Sequence, residues 1–333
     1  MKVLLGVDSS INRFLPIAKS LEQFDHEVRT FITDDFARQI SHIGNILDRF
    51  SFHFRREVFH EKRILKFERL IKDFKPDIIF FINFPMDIFS VEEFERLSIG
   101  RRFRIFFVDP LKNHPDVEEY LRFCDQVFSY DQDDAERFNV QYLPLGYSPS
   151  YEMQFDPQIS KTIDVSFVGS LFKNRLEFLE PLAKFMKDHG KTLKVFSPAF
   201  KRKNFWKRPI FNKKFPNLAK CIENGFVDPK DAARIYSQSK ICLNIHVPDA
   251  SSPNPRTFEI LATGSFQLID ERKYYSNLIP SKDLATFKSI EELINRVEYF
   301  LNHEEERIEI ARNGYKKVVP EFRLANCLER ILK

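Results

Sequence analysis

The chain is predicted to fold as two α/β domains of Rossmann-like type, each a parallel sheet covered by helices on both faces. Three observations carry that prediction. Its 333 residues exceed one ordinary domain and suit two of about 150 residues each. Short continuous apolar runs alternate with longer amphipathic stretches, as expected of strands buried on both faces and joined by crossover helices. The pattern also stops and starts again, each time with a glycine near the end of the first strand: Gly6 before Asp8-Ser9-Ser10, and Gly169 before Ser170-Leu171-Phe172-Lys173.

In the first half a strand is expected over 2–7, a helix over 11–24 and a second strand over 27–31. A longer helical pattern covers 57–74. Lys75-Pro76-Asp77 punctuates it, and Ile78-Ile79-Phe80-Phe81-Ile82 reads as a buried strand. Further strands are expected over 104–108, 126–129 and 140–143, with helical stretches between them. Turn residues gather in Leu145-Gly146-Tyr147-Ser148-Pro149-Ser150 and Phe155-Asp156-Pro157-Gln158. Residues 148–162 are therefore expected to link a first domain, 1–147, to a second, 163–317. In the second domain strands over 165–168, 193–196, 241–245 and 266–269 alternate with helices over 175–189, 229–239 and 255–263. Helices over 290–302 and 304–313 follow, and an amphipathic helix over 321–332 ends the chain. The halves are alike in architecture, not in sequence. Two such domains facing across a cleft would take ligands beyond the carboxyl ends of their strands.

Composition narrows the class. Lysine plus arginine number 52 against 48 acids, a net charge of +4 that does not suit a nucleic-acid-coating protein. The start, Met1-Lys2-Val3-Leu4-Leu5-Gly6-Val7-Asp8, is too soon interrupted for a signal peptide. No apolar run reaches the roughly 18 residues that would span a bilayer. Cys124, Cys221, Cys242 and Cys327 are far apart and form no C-x-x-C pair. They read as reduced thiols of a cytoplasmic protein, not as a disulfide frame or zinc site. Glycine occurs only nine times, so its positions are informative.

The segment richest in chemistry is Asn254-Pro255-Arg256-Thr257-Phe258-Glu259-Ile260-Leu261-Ala262-Thr263-Gly264. Asn254 is a good helix N-cap and Pro255 a good first helical residue. At the helical period Phe258, Leu261 and Ala262 share one face, and Arg256, Glu259 and Thr263 share another. The apolar face would pack on a sheet and leave the polar face for a ligand. A helix N-terminus attracts phosphate through its free N–H groups and dipole. Arg256 would add forked donors, and Glu259, one turn on, could accept from two ribose hydroxyls. Gly264 would end the helix. Arg256 and Glu259 also fit a plain surface pair worth a few tenths of a kcal/mol. Residue types alone leave both readings open.

The run from Asn254 to Asp270 resembles the signature of the CgeB-like glycosyltransferases, relatives of the family 4 glycosyltransferases of GT-B fold. The resemblance implies a GT-B enzyme that uses a nucleoside-diphosphate sugar as donor and holds no bound cofactor. Glu259 maps to the glutamate that holds the donor ribose; Asn254, Arg256 and Thr257 match on the donor side. Ser251 stands where many relatives carry a further glutamate. Val165-Ser166-Phe167-Val168-Gly169-Ser170 with Lys173-Asn174-Arg175 resembles the loop in which glycine admits the donor and basic residues neutralise phosphate. This makes Gly169, Ser170, Lys173 and Arg175 candidates, with Lys173 and Arg256 stabilising the departing diphosphate. Gly225-Phe226-Val227-Asp228 resembles the base-binding loop, so Phe226 and Val227 would hold the base. Asn244 and His246 would lie at a strand end near the donor. The last helix, within 318–333, is expected to pack toward the first domain. The resemblance covers 165–315 well and the first half loosely.

Acceptor groups are expected at first-domain strand ends: Asp8, Asn83 and Asp109. Phe107-Val108-Asp109-Pro110 with His114 resembles an equivalent loop of the same family. An inverting enzyme needs a base for the acceptor hydroxyl, and Asp109 or His114 could serve; a retaining enzyme needs none. Asp109 could equally cap a turn before Pro110. No metal-ligand cluster is legible. Residues 200–215 hold seven positive charges and no negative one, and without them the formal charge of +4 becomes −3. This segment reads as a solvated loop, as a site for anionic lipid with Trp206 and phenylalanines at the interface, or as a nucleic-acid contact. The expected function is sugar transfer to a hydroxyl of a glycan, lipid-linked sugar or protein, in the cytoplasm or at the inner face of the membrane. The alternatives are a nucleotide-sugar epimerase on the same scaffold, and a non-enzymatic nucleotide or nucleic-acid binder.

Overall fold

The computed structural model describes residues 1–7, 21–22, 24–32, 52–83, 89–111, 116–200, 207–248 and 250–333, with the backbone alone at 52–60 and 224. Asp8, His114, Trp206 and most of the helix expected over 11–24 lie outside the described residues. The chain divides into two compact units, Met1–Pro144 with Leu324–Lys333, and Leu145–Arg323.

The first unit holds a six-stranded sheet: β1 (Lys2–Val7), β2 (Glu27–Ile32), β3 (Ile78–Ile82), β4 (Phe103–Phe107), β5 (Gln126–Ser129) and β6 (Gln141–Tyr142). The order is β2-β1-β3-β4-β5-β6 and every pairing is parallel. Strands β3 and β4 are buried at every residue, the reason for the unbroken apolar sequence of β3 and for that of β4 apart from Arg104. Helix α1 (Phe52–Phe74), α2 (Val91–Ser98), α3 (Val117–Leu121) and α4 (Gln132–Arg137) connect the strands. The core is built of phenylalanine, with Phe67, Phe81, Phe89, Phe94 and Phe103 in mutual ring contact. Gly6 serves that core: a Cβ there would lie 2.2 Å from the Phe81 ring.

The second unit holds β7 (Ile163–Val168), β8 (Leu193–Ser197), β9 (Ile222–Asn224), β10 (Ser239–Asn244), β11 (Gln267–Asp270) and β12 (Ala285–Phe287). The order is β12-β11-β10-β7-β8-β9, again all parallel. Its helices are α5 (Lys173–Asp188), α6 (Arg208–Lys214), α7 (Pro229–Ser237), α8 (Pro255–Ala262), α9 (Ile290–Asn302) and α10 (Glu304–Glu321). The strand order reverses between β7 and β10, and the crevice beyond their carboxyl ends is where such sheets take ligands.

Several expected bounds move. The helix expected over 304–313 runs on to Glu321, because α10 continues along α8: a Cβ on Gly314 would lie 2.8 Å from Leu261 Cδ2. The closing helix is therefore shorter, α11 (Leu324–Leu332). It joins the first unit, where the fully buried Arg104 donates from Nη1 to the Ile331 carbonyl and from Nε to Asp125 at 3.1 Å. Residues 148–162 fall inside the second unit. Met153 N–H donates to the Ala262 carbonyl at 3.2 Å, and the Tyr147 hydroxyl to that of Val319 at 2.8 Å. Strands β9 and β12 were not legible, since three residues show no periodicity.

Candidate functional site

Helix α8 is set by its cap. Asn254 is extended and its Oδ1 accepts the Thr257 N–H at 3.2 Å, with Pro255 at the first helical position. Phe258, Leu261 and Ala262 are fully buried, and Phe258 stacks on Phe322 at 4.8 Å. Thr263 is also buried and donates to the Ile260 carbonyl at 2.7 Å, so it does not share the open face with Arg256 and Glu259. The last turn of α8 lies under α10, which removes that position from solvent.

Beneath α8 the strand ends form a bonded layer. The Asn244 and Asn254 amides exchange hydrogen bonds of 3.1 and 3.0 Å, and Asn244 Nδ2 also donates to Thr257 Oγ1 at 3.1 Å. His246 Nδ1 bonds Asp270 Oδ1 at 2.7 Å, and its Nε2 accepts the Asn254 N–H at 3.0 Å. Asn244, His246 and Thr257 are at most 1% exposed, and their polar atoms go to holding α8. Burial lowers the His246 pKa below its ordinary value, against the pull of Asp270. Burial alone would raise the Asp270 carboxyl, but the His246 hydrogen bond and the Arg272 charge hold it below its ordinary range.

The outward groups gather at the switch point. Helices α5 and α8 both begin beyond the carboxyl ends of the neighbouring strands β7 and β10, which brings the positive ends of both helix dipoles there. Lys173, the first residue of α5, and Ser170 are exposed. Gly169 has φ +158°, and a Cβ there would lie 3.3 Å from Arg256 Nη2, so glycine leaves the slot that the Arg256 guanidinium fills. Arg256 Nε is buried without a hydrogen-bond partner. Arg175 is 5% exposed; its Nε donates to the Ile245 carbonyl at 2.8 Å and its Nη1 to that of Ser170 at 2.9 Å. Burial, with the Arg256 charge beside it, pushes the Arg175 pKa down to about 10. The two guanidiniums thus make a positive spot at the start of α8, and Arg175 fixes the 169–172 loop from below.

Two tyrosines complete this surface, and the sequence alone did not mark either. Tyr151 and Tyr236 stack at 6.5 Å. Burial and the Glu259 charge raise the Tyr151 hydroxyl pKa, against Arg256. Burial also raises that of Tyr236, against the Arg256 charge nearby. Tyr151 sits in a turn-rich stretch with no periodicity to give it a direction. Tyr236 lies on α7 among core residues, where a buried hydroxyl looks like packing. On the loop before α7, Phe226 is 82% exposed and Val227 half-buried against Ala232, Tyr236, Cys242 and Ile260.

In the first unit, Asn83 and Asp109 meet beyond the ends of β3 and β4. Asn83 Nδ2 donates to Asp109 Oδ2 at 2.8 Å and its Oδ1 accepts the Val108 N–H at 2.8 Å. Asp109 is exposed and held in one orientation. Two shallow hollows, around Lys2, Glu27 and Asp77 and around Arg122, Asp125 and Phe138, lie at the opposite edge of the same sheet, by the amino ends of β1 to β3 and of β5 and β6. That end of a parallel sheet does not take its ligands. Among the described residues no group of three or more His, Cys, Asp or Glu is placed to hold a metal ion.

Comparison with known proteins fits this layout. Residues 175–333 match the glycosyl transferase-like family Glyco_trans_1_2. The similarity thus lies in the second half of the chain. Spore protein CgeB of Bacillus subtilis (strain 168) is 21% identical over 225 residues, 61% of this chain and 66% of CgeB, so the chain spans just under two thirds of that relative. Sucrose-phosphate synthase from Thermosynechococcus elongatus superposes with a TM-score of 0.69 at 13% identity, covering 99% of this chain and 97% of its own. HepE of Anabaena, solved in complex with UDP-glucose, gives 0.61 at 12% identity, covering 100% and 98%. The fold is that of the GT-B glycosyltransferases, and the residues matched by the family include the α8 cap, Arg175 and Tyr236, with Gly169 and Tyr151 lying before them.

Proposed function

We propose that the protein transfers a sugar from a nucleoside-diphosphate sugar to a hydroxyl acceptor on a glycan, lipid-linked sugar or protein. The observation that carries this reading is the face of α8. Arg256 and Glu259 stand there one turn apart, at the switch point, with two helix N-termini beside them. A diphosphate would lie against Arg256, Lys173 and the N-terminal ends of the two helices, whose charges and dipoles stabilise negative charge as the leaving group departs. Glu259 would accept the ribose hydroxyls, and Phe226 and Val227 would cover the base. Asp109, oriented by Asn83, would serve as base on the acceptor side if the reaction inverts.

Glu259→Ala is expected to weaken nucleoside diphosphate binding about 10- to 100-fold, the worth of one or two hydrogen bonds to a charged acceptor. Calorimetry with UDP, GDP and ADP reads it; unchanged affinity for the nucleotide that binds would remove Glu259 from the site. Product analysis with donor alone separates transfer from epimerisation, because an epimerase turns over without acceptor.

A membrane contact is proposed for the basic segment on a narrower basis than sequence suggested. Phe200, Phe211 and Phe215 turn inward, in ring contact at 5.0–5.1 Å, so they are not interface groups. The exposed groups at the start and along α6 instead include Lys207, Arg208, Lys213, Lys214 and Ile210, the last 66% exposed. Each cation near an anionic surface contributes about 1 kcal/mol. Changing these four to serine should abolish co-flotation with phosphatidylserine vesicles; unaltered flotation rules the contact out. Among the described residues no helix is long and apolar enough to cross a membrane.

A further inference from the structure

We propose that His246 is a positioning residue, which clasps the start of α8 as a neutral ring of one tautomer and does not itself touch the donor. The inference rests on the donor-site reading above and adds to it what holds that site in place. The His246 side chain is fully buried and both ring nitrogens are engaged. Nε2 faces the Asn254 N–H at 3.0 Å, a group that can only donate, so Nε2 must carry a lone pair. The proton is then on Nδ1, pointing at Asp270 Oδ1 at 2.7 Å. The same Asp270 oxygen accepts the His246 N–H at 3.0 Å, and Asp270 Oδ2 takes Arg272 Nη2 at 2.8 Å.

The clasp reaches both ends of the 245–254 connection. Arg272 Nη1 donates to the Ala250 carbonyl at 2.7 Å, Tyr274 N–H to that of Ser251 at 3.1 Å, and Asn174 Nδ2 to that of His246 at 2.7 Å. Asn254, whose N–H the ring receives, is the cap that starts the helix bearing Arg256 and Glu259. A proton added at Nε2 would set two donors against each other at 3.0 Å and push the cap away. The groups bearing on that proton are Asp270 on β11, which favours it, and Arg272 after β11 and Arg256 on α8, which oppose it. Burial opposes it most.

A neutral buried histidine takes its proton less readily folded than unfolded. Its contribution to stability is whole above the ordinary value of 6.5 and is lost as pH falls from there toward the lower folded value. Nucleotide binding should weaken over the same fall.

Long-range proton–nitrogen NMR of the free protein at pH 7 reads the tautomer without any ligand. Protonated Nδ1 with an unprotonated Nε2 is expected; the reverse tautomer or an imidazolium overturns the proposal. His246→Ala is expected to lower nucleoside diphosphate affinity tenfold or more at pH 7.5. His246→Gln keeps an acceptor where Nε2 sits and should restore most of that loss. It should also remove the decline in affinity and thermal stability expected of the natural protein as pH falls below 6.5. Glutamine failing as badly as alanine would mean the ring contacts the nucleotide, and alanine binding normally would mean no positioning; either result sinks the idea. If UDP, GDP and ADP all fail to bind the natural protein, the donor-site reading fails by itself. The tautomer and the pH dependence of the Asn254 amide shift then decide the clasp.

Discussion

Arg256→Ala is expected to lower kcat/KM for sugar transfer by about 10²- to 10³-fold while the melting temperature moves by less than about 2 °C. The guanidinium lies in a slot bounded by Gly169 and Tyr236, next to the buried Arg175, with its Nε lacking any hydrogen-bond partner. A buried donor without a partner costs stability, so alanine gives back part of what it removes. The loss should fall mainly on kcat, because charge builds on the departing diphosphate in the transition state. Arg256→Lys keeps the charge but not the forked donors, and should recover less than a tenth of the lost activity. Transfer from the bound nucleotide-sugar, followed with product analysis, reads both variants. A kcat/KM within threefold of the natural protein for Arg256→Ala would end the leaving-group role.

Gly314→Ala is expected to destabilise the second unit by about 3 kcal/mol or more, beyond the usual cost of overpacking a core. The new Cβ would lie 2.3 Å from the Asp283 carbonyl oxygen and 2.8 Å from Leu261 Cδ2. A backbone oxygen has no rotamer to move through, so α10 itself must shift from α8. A drop in melting temperature of roughly 5–10 °C follows for a domain of this size. Because Leu261 is on α8, two residues past Glu259, nucleotide affinity should fall as well. Calorimetric unfolding is the check; a shift under about 1 °C would mean that α10 and α8 do not pack this closely.

The parallel sheets were legible because parallel strands are buried on both faces. Ile78 to Ile82 could hardly be anything but a covered strand, and it is one. The start of α8 was legible too, since Asn254 and Pro255 act locally, through one side-chain cap and one fixed backbone angle. Short range explains these successes: a cap, a turn or a strand period is decided within a few residues. The end of α10 was not legible, because nothing near residue 313 ends the helix and its continuation depends on packing against α8.

Within the site the division is sharper. By itself the sequence determined that α8 would be capped by Asn254, with Arg256 and Glu259 one turn apart and Gly169 ending β7. Only the tertiary structure decided which polar groups face outward. Asn244, His246, Thr257 and Arg175 are as polar as Arg256 and were drawn from the same motifs. Each turns inward, because the strand ends of β10 and β11 and the loop after β7 leave backbone and amide groups that must be paired once water is gone. Residues far apart in the chain supply those partners, Asp270 for His246 and Ile245 for Arg175, and a one-dimensional pattern does not record them. The cost of leaving a buried polar group unpaired, which exists only once the chain has folded, separates the groups that hold this site from those left to bind.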